Sequence, residues 1–239
     1  MTRGEPTVVW RDEALLVLDK PARLPTTSPS GGDCLTARAR AIDPHAPHLH
    51  PTSRLDAEVT GLVTFARTRA ANRVLLEARA QGRYRRLYLG IAAASPEPPE
   101  GEWDWPISID VRDARLRTVE PGPGTRAART RYRVEARTAA ATLLALRPRT
   151  GRTHQLRVHA AAAGAPLLGD VAYGGARRVV LPGGRVVTAR RTMLHCARLE
   201  LPAFAEGHPT GERKVIEAPP PEDMRRAWEA LGGGALVLG

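Results

Sequence analysis

The order of apolar and polar positions divides the chain into short strands and a few short helices. Thr7 to Asp19 (TVVWRDEALLVLD) predicts two strands around a turn at Arg11-Asp12-Glu13, with Lys20-Pro21 ending the second. Thr26 to Asp33 is rich in Ser, Thr, Pro and Gly and reads as a loop. Cys34 to Ile42 reads as a helix, and Asp43 to Pro51, with three His and three Pro, as irregular chain. Gly61 to Ala66 (GLVTFA) is expected to be a buried strand. Ala71, Val74, Leu75 and Ala78 then recur at helical spacing between Thr68 and Ala80, with Gly82 suited to the C-terminal cap. Arg86 to Ala92 alternates, with Leu87, Leu89 and Ile91 on one side and Tyr88 on the other. That predicts a half-buried strand offering a tyrosine on its polar face.

Ser95 to Gly101 reads as a connection and Pro121 to Gly124 as a turn. Arg129 to Ala136 and Ala141 to Arg147 look like paired strands, and Leu194 to Leu201 like another. Thr153 is placed to cap a helix ending at Gly164, and Glu222 to Leu231 is a short helix before a Gly-rich end expected to fray. There is no internal repeat. Strands outnumber helices and come in hairpins, so the expected fold is α+β, a mixed and largely antiparallel sheet flanked by helices and loops. Residues 1–220 are expected to form a single domain, and residues 221–239 a C-terminal helix and flexible tail.

Composition narrows the function. With 239 residues, 42% hydrophobic and 26% charged, the chain resembles an ordinary globular protein. No apolar run approaches the roughly 18 to 20 residues that cross a bilayer, and Met1 to Pro6 lacks a secretory pattern, so a cytoplasmic protein without membrane contact is expected. Cys34 and Cys196 stand alone, without zinc spacing. The net charge of +11 points to an anionic partner, nucleic acid first. Lys20 and Lys214 are the only lysines, and Arg richness beside abundant Ala, Gly and Pro partly reflects a GC-rich genome. Distribution is more telling than the total. Residues 112–157 hold twelve Arg against Asp113, Glu120 and Glu135, a local +9; residues 67–91 hold seven Arg against Glu77, a local +6. The rest of the chain is net acidic, so the positive charge is concentrated as an RNA-tracking surface requires.

Two segments could carry chemistry. Arg54-Leu55-Asp56 lies on a loop just before the strand at Gly61, and in extended chain Arg54 and Asp56 point to one side. An arbitrary Arg-x-Asp is more often a surface ion pair than a catalytic group. Thr150 to His159 (TGRTHQLRVH) is a glycine turn opening into a helix. Its first N–H groups lack intrahelical partners and attract anions, and Arg152 adds to this. His154 and Arg157, three apart, share a helix face, whereas His154 and His159, five apart, do not suit a shared metal ion.

Read in order, these motifs resemble the RluA family of pseudouridine synthases, which rearrange uridine in RNA. The resemblance rests on Lys20-Pro21, Arg54-Leu55-Asp56 with Thr60-Gly61, Arg86-Leu87-Tyr88, Thr150 to His159 in full, Gly164 to Gly174 (GAPLLGDVAYG) and Leu194-His195, over about residues 7–220. It implies the pseudouridine synthase fold and an RNA substrate, ribosomal or transfer. It implies Asp56 as the catalytic aspartate, Arg157 as the arginine that pairs with it, and Tyr88 as the tyrosine that stacks on the target base. Arg54 is the arginine that enters the RNA stack as the uridine leaves, and Arg152, His154 and Gln155 are expected at the RNA. The reaction is redox-neutral and adds no atoms, so no cofactor or metal is expected. Whether Asp56 attacks C1′ or removes the 2′ proton stays open.

Several positions depart from the family pattern: Ser53 stands where His is usual, Val59-Thr60 replaces Thr-Ser, Arg23 replaces a Gly, and Arg86 replaces Lys. The first strand near Thr7 leaves no room for the small N-terminal S4-type domain of many relatives, so RNA is expected to meet residues 67–91 and 112–137. The protein is expected to be a monomer. The alternative is a catalytically silent RNA-binding or RNA-folding factor with the same fold. A glycosidase reading is weaker, because that chemistry usually needs two flanking carboxylates and only Asp56 lies in a motif.

Overall fold

A computed structural model of the protein describes residues 4–236. In chain order the elements are β1 (Thr7–Arg11), β2 (Leu15–Lys20), α1 (Leu35–Ile42), β3 (His50–Pro51), β4 (Thr60–Ala66), α2 (Arg69–Ala80) and β5 (Arg85–Ala92). They continue with β6 (Glu100–Trp103), β7 (Ser108–Ile109), β8 (Arg117–Thr118), β9 (Thr130–Arg137), β10 (Thr142–Pro148) and α3 (Gln155–Ala162). The last are β11 (Arg178–Val180), β12 (Val186–Thr188), β13 (Leu194–Ala205), β14 (His208–Glu217) and α4 (Glu222–Ala230). The fold is α+β, as expected. The chain divides into two compact units, one running to Arg86 with Cys196–Pro219, the other Leu87–His195 with the segment from Pro220 onward. No described helix is long and apolar enough to cross a membrane. The last three residues of the expected tail lie outside the described residues.

In the first unit β1 pairs with β2, β2 with β4, β3 with β4 and β13 with β14, all antiparallel. The apolar runs of β2 and β4 are buried along almost their whole length. The turn between β1 and β2 is built by Asp12, whose carboxylate accepts from the N–H groups of Ala14 and Leu15 and from the Trp10 indole. Helix α2 follows β4 directly. Thr68 caps it by accepting from Ala71 N–H at 3.0 Å, and Ala71, Leu75 and Ala78 form its buried stripe. Asp43, fully buried at the end of α1, binds Arg11 at 2.9 Å and Arg67 at 2.5 Å, and so ties the helix to the ends of β1 and β4.

In the second unit the strands run β5-β10-β9-β6, each pair antiparallel. β5 corrects an expectation. Leu87, Tyr88, Leu89 and Ile91 are all buried, so both faces of the strand are covered. The strand is interior to its unit, with β10 along one edge; on the other, Ile91 N–H donates to Met193 O and Ile91 O accepts from Leu168 N–H. Tyr88 reads as polar in an alternating pattern, but its ring is a large apolar body that packs inside. The start of α3 also differs from expectation. His154, in the left-handed region at φ 58°, is the residue preceding the helix, and Thr153 does not cap it.

A continuous hydrogen-bond chain joins α3 to β9. Gln155 Nε2 donates to Thr130 Oγ1 (3.0 Å), which lies 3.0 Å from His159 Nδ1, and His159 Nε2 lies 2.9 Å from Trp105 O. A carbonyl only accepts, so Nε2 carries the proton and Nδ1 takes one from the Thr130 hydroxyl. Burial disfavours the charged form of this imidazole and holds its pKa below the ordinary 6.5, which favours that neutral tautomer. Below about pH 6.5 the unfolded chain binds a proton that the folded one refuses, so stability falls as pH drops through 6.5 toward the folded-state pKa. Thermal unfolding from pH 8 to 5 is expected to show a steeper loss of midpoint in wild type than in His159→Gln, which keeps an N–H for Trp105 but does not titrate. Equal slopes would contradict the neutral, buried imidazole.

Candidate active site

Asp56 is half-buried in the loop of the first unit between β3 and β4, where its carbonyl accepts from Val59 N–H at 3.1 Å to close a turn. Both neighbouring residues are tied down. Thr26 Oγ1 donates to Leu55 O at 2.8 Å and accepts from Leu55 N–H at 2.9 Å. Thr26 is itself held by α1, since Thr36 donates to its carbonyl through both N–H and hydroxyl. On the other side of Asp56 the Lys20 ammonium donates to Ala57 O at 3.1 Å, and also to Leu24 O at 2.8 Å and Pro21 O at 3.0 Å.

Lys20 has no exposed surface. An ammonium taken out of water costs several kcal/mol unless its donors are satisfied, which makes these carbonyls obligatory partners. The β2–β4 register sets Lys20 opposite Gly61, where β4 begins. Gly61 has φ 114°, and a Cβ there would collide with the Cys196 backbone, so side-chain-bearing residues are excluded from that position. Arg54 is exposed beside this framework. Ser53 is buried, and its hydroxyl has no hydrogen-bond partner among the described residues.

The remaining expected site residues lie in the second unit. Arg157, on α3 and 9% exposed, donates from Nε and Nη2 to the two carboxylate oxygens of Asp170, both at 2.7 Å. This is a two-point, charge-assisted pair between buried groups, which fixes the guanidinium plane. The guanidinium also stands 4.8 Å from the Tyr173 ring centroid, at cation–π distance. His154 Nδ1 lies 2.7 Å from the Tyr173 hydroxyl, which also accepts from Arg117 N–H at 3.0 Å. His154, just before α3, and Arg157, on it, thus converge on one tyrosine. Asp170 and Tyr173 were given no individual role from sequence, although both lie in the Gly164–Gly174 segment. Their turn is closed by hydrogen bonds from Tyr173 N–H and Gly175 N–H to Asp170 O, at 3.0 and 2.8 Å.

Tyr88 is buried on β5 opposite Leu146. Arg152 is half-buried, and its Nε donates to Ala127 O at 3.0 Å near the surface. Gln155 was expected at the RNA, but its amide is fully engaged inside the fold. Nε2 donates to Arg129 O and Thr130 Oγ1, while Oε1 accepts from Thr150 Oγ1 and Arg152 N–H. Two donors and two acceptor positions are all the group has. Gln155 therefore positions the loop before α3, in place of a side-chain cap.

Among the described residues no group of three or more His, Cys, Asp or Glu is placed to hold a metal ion. The family model described as RNA pseudouridylate synthase matches residues 14–162. The chain is 34% identical over 231 residues to ribosomal large subunit pseudouridine synthase D of Nitrosomonas europaea, covering 94% of this chain and 64% of that protein. It is 36% identical over 238 residues to ribosomal large subunit pseudouridine synthase D of Xanthomonas campestris, covering 94% and 69%. The chain thus spans about two thirds of the length of these relatives. Among solved structures it resembles human RNA pseudouridylate synthase domain containing 4, with TM-score 0.73, 25% identity, and coverage of 94% of this chain and 92% of that one.

Replacing Lys20 by Met keeps the length of the side chain but removes every donor. Buried carbonyls left unsatisfied cost about 1–3 kcal/mol each, so Lys20→Met is expected to lower stability by at least ~2 kcal/mol in urea unfolding. A wild-type midpoint would contradict the clamp on the Asp56 loop.

Proposed function

Because the chain belongs to the RNA pseudouridylate synthase family, we propose that it is an isomerase that converts uridine to pseudouridine in large-subunit ribosomal RNA. The observation that carries this reading is the Asp56 loop: a half-buried carboxylate on backbone pinned at Leu55 by Thr26 and at Ala57 by Lys20. Catalysis needs a reacting group held in one geometry. The similarity to ribosomal large subunit pseudouridine synthases supports ribosomal RNA over transfer RNA as the substrate.

The reaction breaks the N1–C1′ bond, turns the uracil, and joins C5 to C1′; the C5 hydrogen leaves as a proton and N1 takes one up, so the product is an isomer of the substrate. Asp56 acts on the ribose as an ionised carboxylate, at C1′ or at the 2′ proton. A uridine in folded RNA must first be extruded at a cost of a few kcal/mol, and exposed Arg54 is suited to occupy the gap in the stack. Tyr88 is the aromatic that the family resemblance assigns to the uracil, a contact worth roughly 1–3 kcal/mol that requires its buried ring to be uncovered first. Arg157, held by Asp170 and Tyr173, supplies a cation that stays protonated at any working pH. His154 shares Tyr173 with it, which places it as a positioning residue for that ring.

The test is tritium release from [5-³H]uridine-labelled large-subunit ribosomal RNA, since isomerisation must displace the hydrogen on C5. Wild type is expected to release tritium, and Asp56→Asn to lose the rate by roughly a thousandfold or more while keeping its fold and its RNA affinity. Wild-type turnover in Asp56→Asn would remove Asp56 from the mechanism. Folded, RNA-bound wild type without release would favour a silent binding factor.

A further inference from the structure

The positive charge of this protein is not uniformly available. On β9, Arg131 pairs with Glu102 at 3.1 Å, Arg133 with Glu135 at 2.8 Å and Arg137 with Glu97 at 3.2 Å. Arg115 pairs with Asp113 at 2.7 Å. In the segment 112–137, expected from sequence to face RNA, four of the eight Arg are thus paired with acids. Residues 175–191 (GARRVVLPGGRVVTARR) are different, with five Arg and no Asp or Glu. Arg191 is buried and bound to Asp223 at 2.7 Å. Arg177, Arg178, Arg185 and Arg190 are exposed, and among the described residues none of the four forms an ion pair.

These four cations sit on and beside the β11–β12 hairpin. Its register pairs Arg178 with Thr188, Val179 with Val187 and Val180 with Val186. Alternation puts buried Val187 and half-buried Val179 on the inner face, and Arg178, Val180, Val186 and Thr188 on the outer one. Val180 and Val186 are 69% and 45% exposed. Gly183 and Gly184, at φ 86° and 81°, close a narrow tip beside Arg185. The acids nearest β12 are already engaged, Asp223 with Arg191 and Glu222 with Arg226. The base of the hairpin is joined to the Asp170–Tyr173 turn, since Gly175 N–H donates to Asp170 O and Gly169 N–H to Ala176 O, both at 2.8 Å. Anything held by the hairpin is therefore held next to the Arg157 cluster.

We propose that the β11–β12 hairpin is an RNA-docking arm that grips the phosphate backbone through Arg177, Arg178, Arg185 and Arg190. Uncompensated like charges on a narrow two-stranded ribbon suit a polyanion, and double-stranded RNA is read through its phosphates, 2′-hydroxyls and shape. One cross-strand pair of exposed valines, Val180 and Val186, is too little apolar surface for a protein partner. Such contacts carry no sequence information, so the arm sets affinity and orientation while the choice of uridine is made elsewhere. This inference rests on the reading of the protein as an RNA-modifying enzyme.

Two triple variants remove the same formal charge: Arg178→Gln with Arg185→Gln and Arg190→Gln on the arm, and Arg131→Gln with Arg133→Gln and Arg137→Gln on β9. Binding of a fluorescein-labelled double-stranded RNA is measured by anisotropy between about 50 and 300 mM salt. The arm variant is expected to bind roughly tenfold more weakly or worse at low salt, with a slope of log affinity against log salt shallower by about 2 to 3. The β9 variant is expected to change the slope by less than about 1. Circular dichroism melts matching wild type exclude a folding defect. In tritium release from ribosomal RNA, the arm variant should show a raised KM with kcat nearly unchanged. An unchanged slope in the arm variant, or an equal loss in the β9 variant, overturns the proposal. If wild type releases no tritium but the arm variant still shows the shallower slope, the arm stands and the isomerase reading fails. If wild type is active and the arm variant keeps its slope and KM, the arm alone fails.

Discussion

The position of the Asp56 carboxylate depends on a cation that never meets solvent. Lys20 ends β2 as an ammonium with no exposed surface, and its hydrogen bonds gather the carbonyls of Pro21, Leu24 and Ala57. The first two lie in its own turn, but Ala57 belongs to a loop 37 positions further along. A buried charge tolerates little displacement of its partners, because each lost hydrogen bond exposes the full cost of desolvation. Asp43 does the same with opposite sign, joining α1 to Arg11 and Arg67. Such pairs are poor sources of net stability compared with apolar packing. They fix relative positions, which is what the role proposed for the Asp56 loop requires.

The second unit uses the same physics to fix a cation. Asp170 meets Arg157 at two points and Tyr173 lies against the guanidinium, so its plane is set before any substrate arrives. The neutral chain from Gln155 through Thr130 and His159 to Trp105 seats α3 on its strand. The geometry of Arg157 is therefore inherited from Asp170, Tyr173 and the chain that seats α3. Charges that are paired serve the fold, and the exposed guanidinium groups of the β11–β12 hairpin are available to a polyanion. That division separates structural from RNA-directed arginine more clearly than local net charge does.

Much of the framework was legible in the chain because long periodic segments bury one pattern. The apolar runs of β2 and β4, the hairpin of β9 and β10, and the spacing and Thr68 cap of α2 all follow from local rules. The two- and three-residue strands β3, β7, β8, β11 and β12 are too short to show a period. Tyr88 misled because alternation counts tyrosine as polar, while its strand is covered on both sides. The partners of Lys20 and Arg157 were not visible because they depend on long-range geometry. Two departures from the family pattern now have physical content. Arg23, where a Gly is usual, sits at φ 64°, a conformation that costs a non-glycine residue about 1 kcal/mol. Ser53, where His is usual, is buried, and among the described residues its hydroxyl has no hydrogen-bond partner, a cost the fold carries at that position.

The central claim is that this chain isomerises uridine in large-subunit ribosomal RNA through Asp56. Its most direct test is carbodiimide mapping of pseudouridine in ribosomal RNA from a strain lacking the gene, complemented with wild type or with Asp56→Asn. The account predicts that at least one large-subunit pseudouridine disappears on deletion, returns with wild type, and stays absent with Asp56→Asn. An unaltered pseudouridine pattern in the deletion strain, or full restoration by Asp56→Asn, would contradict it.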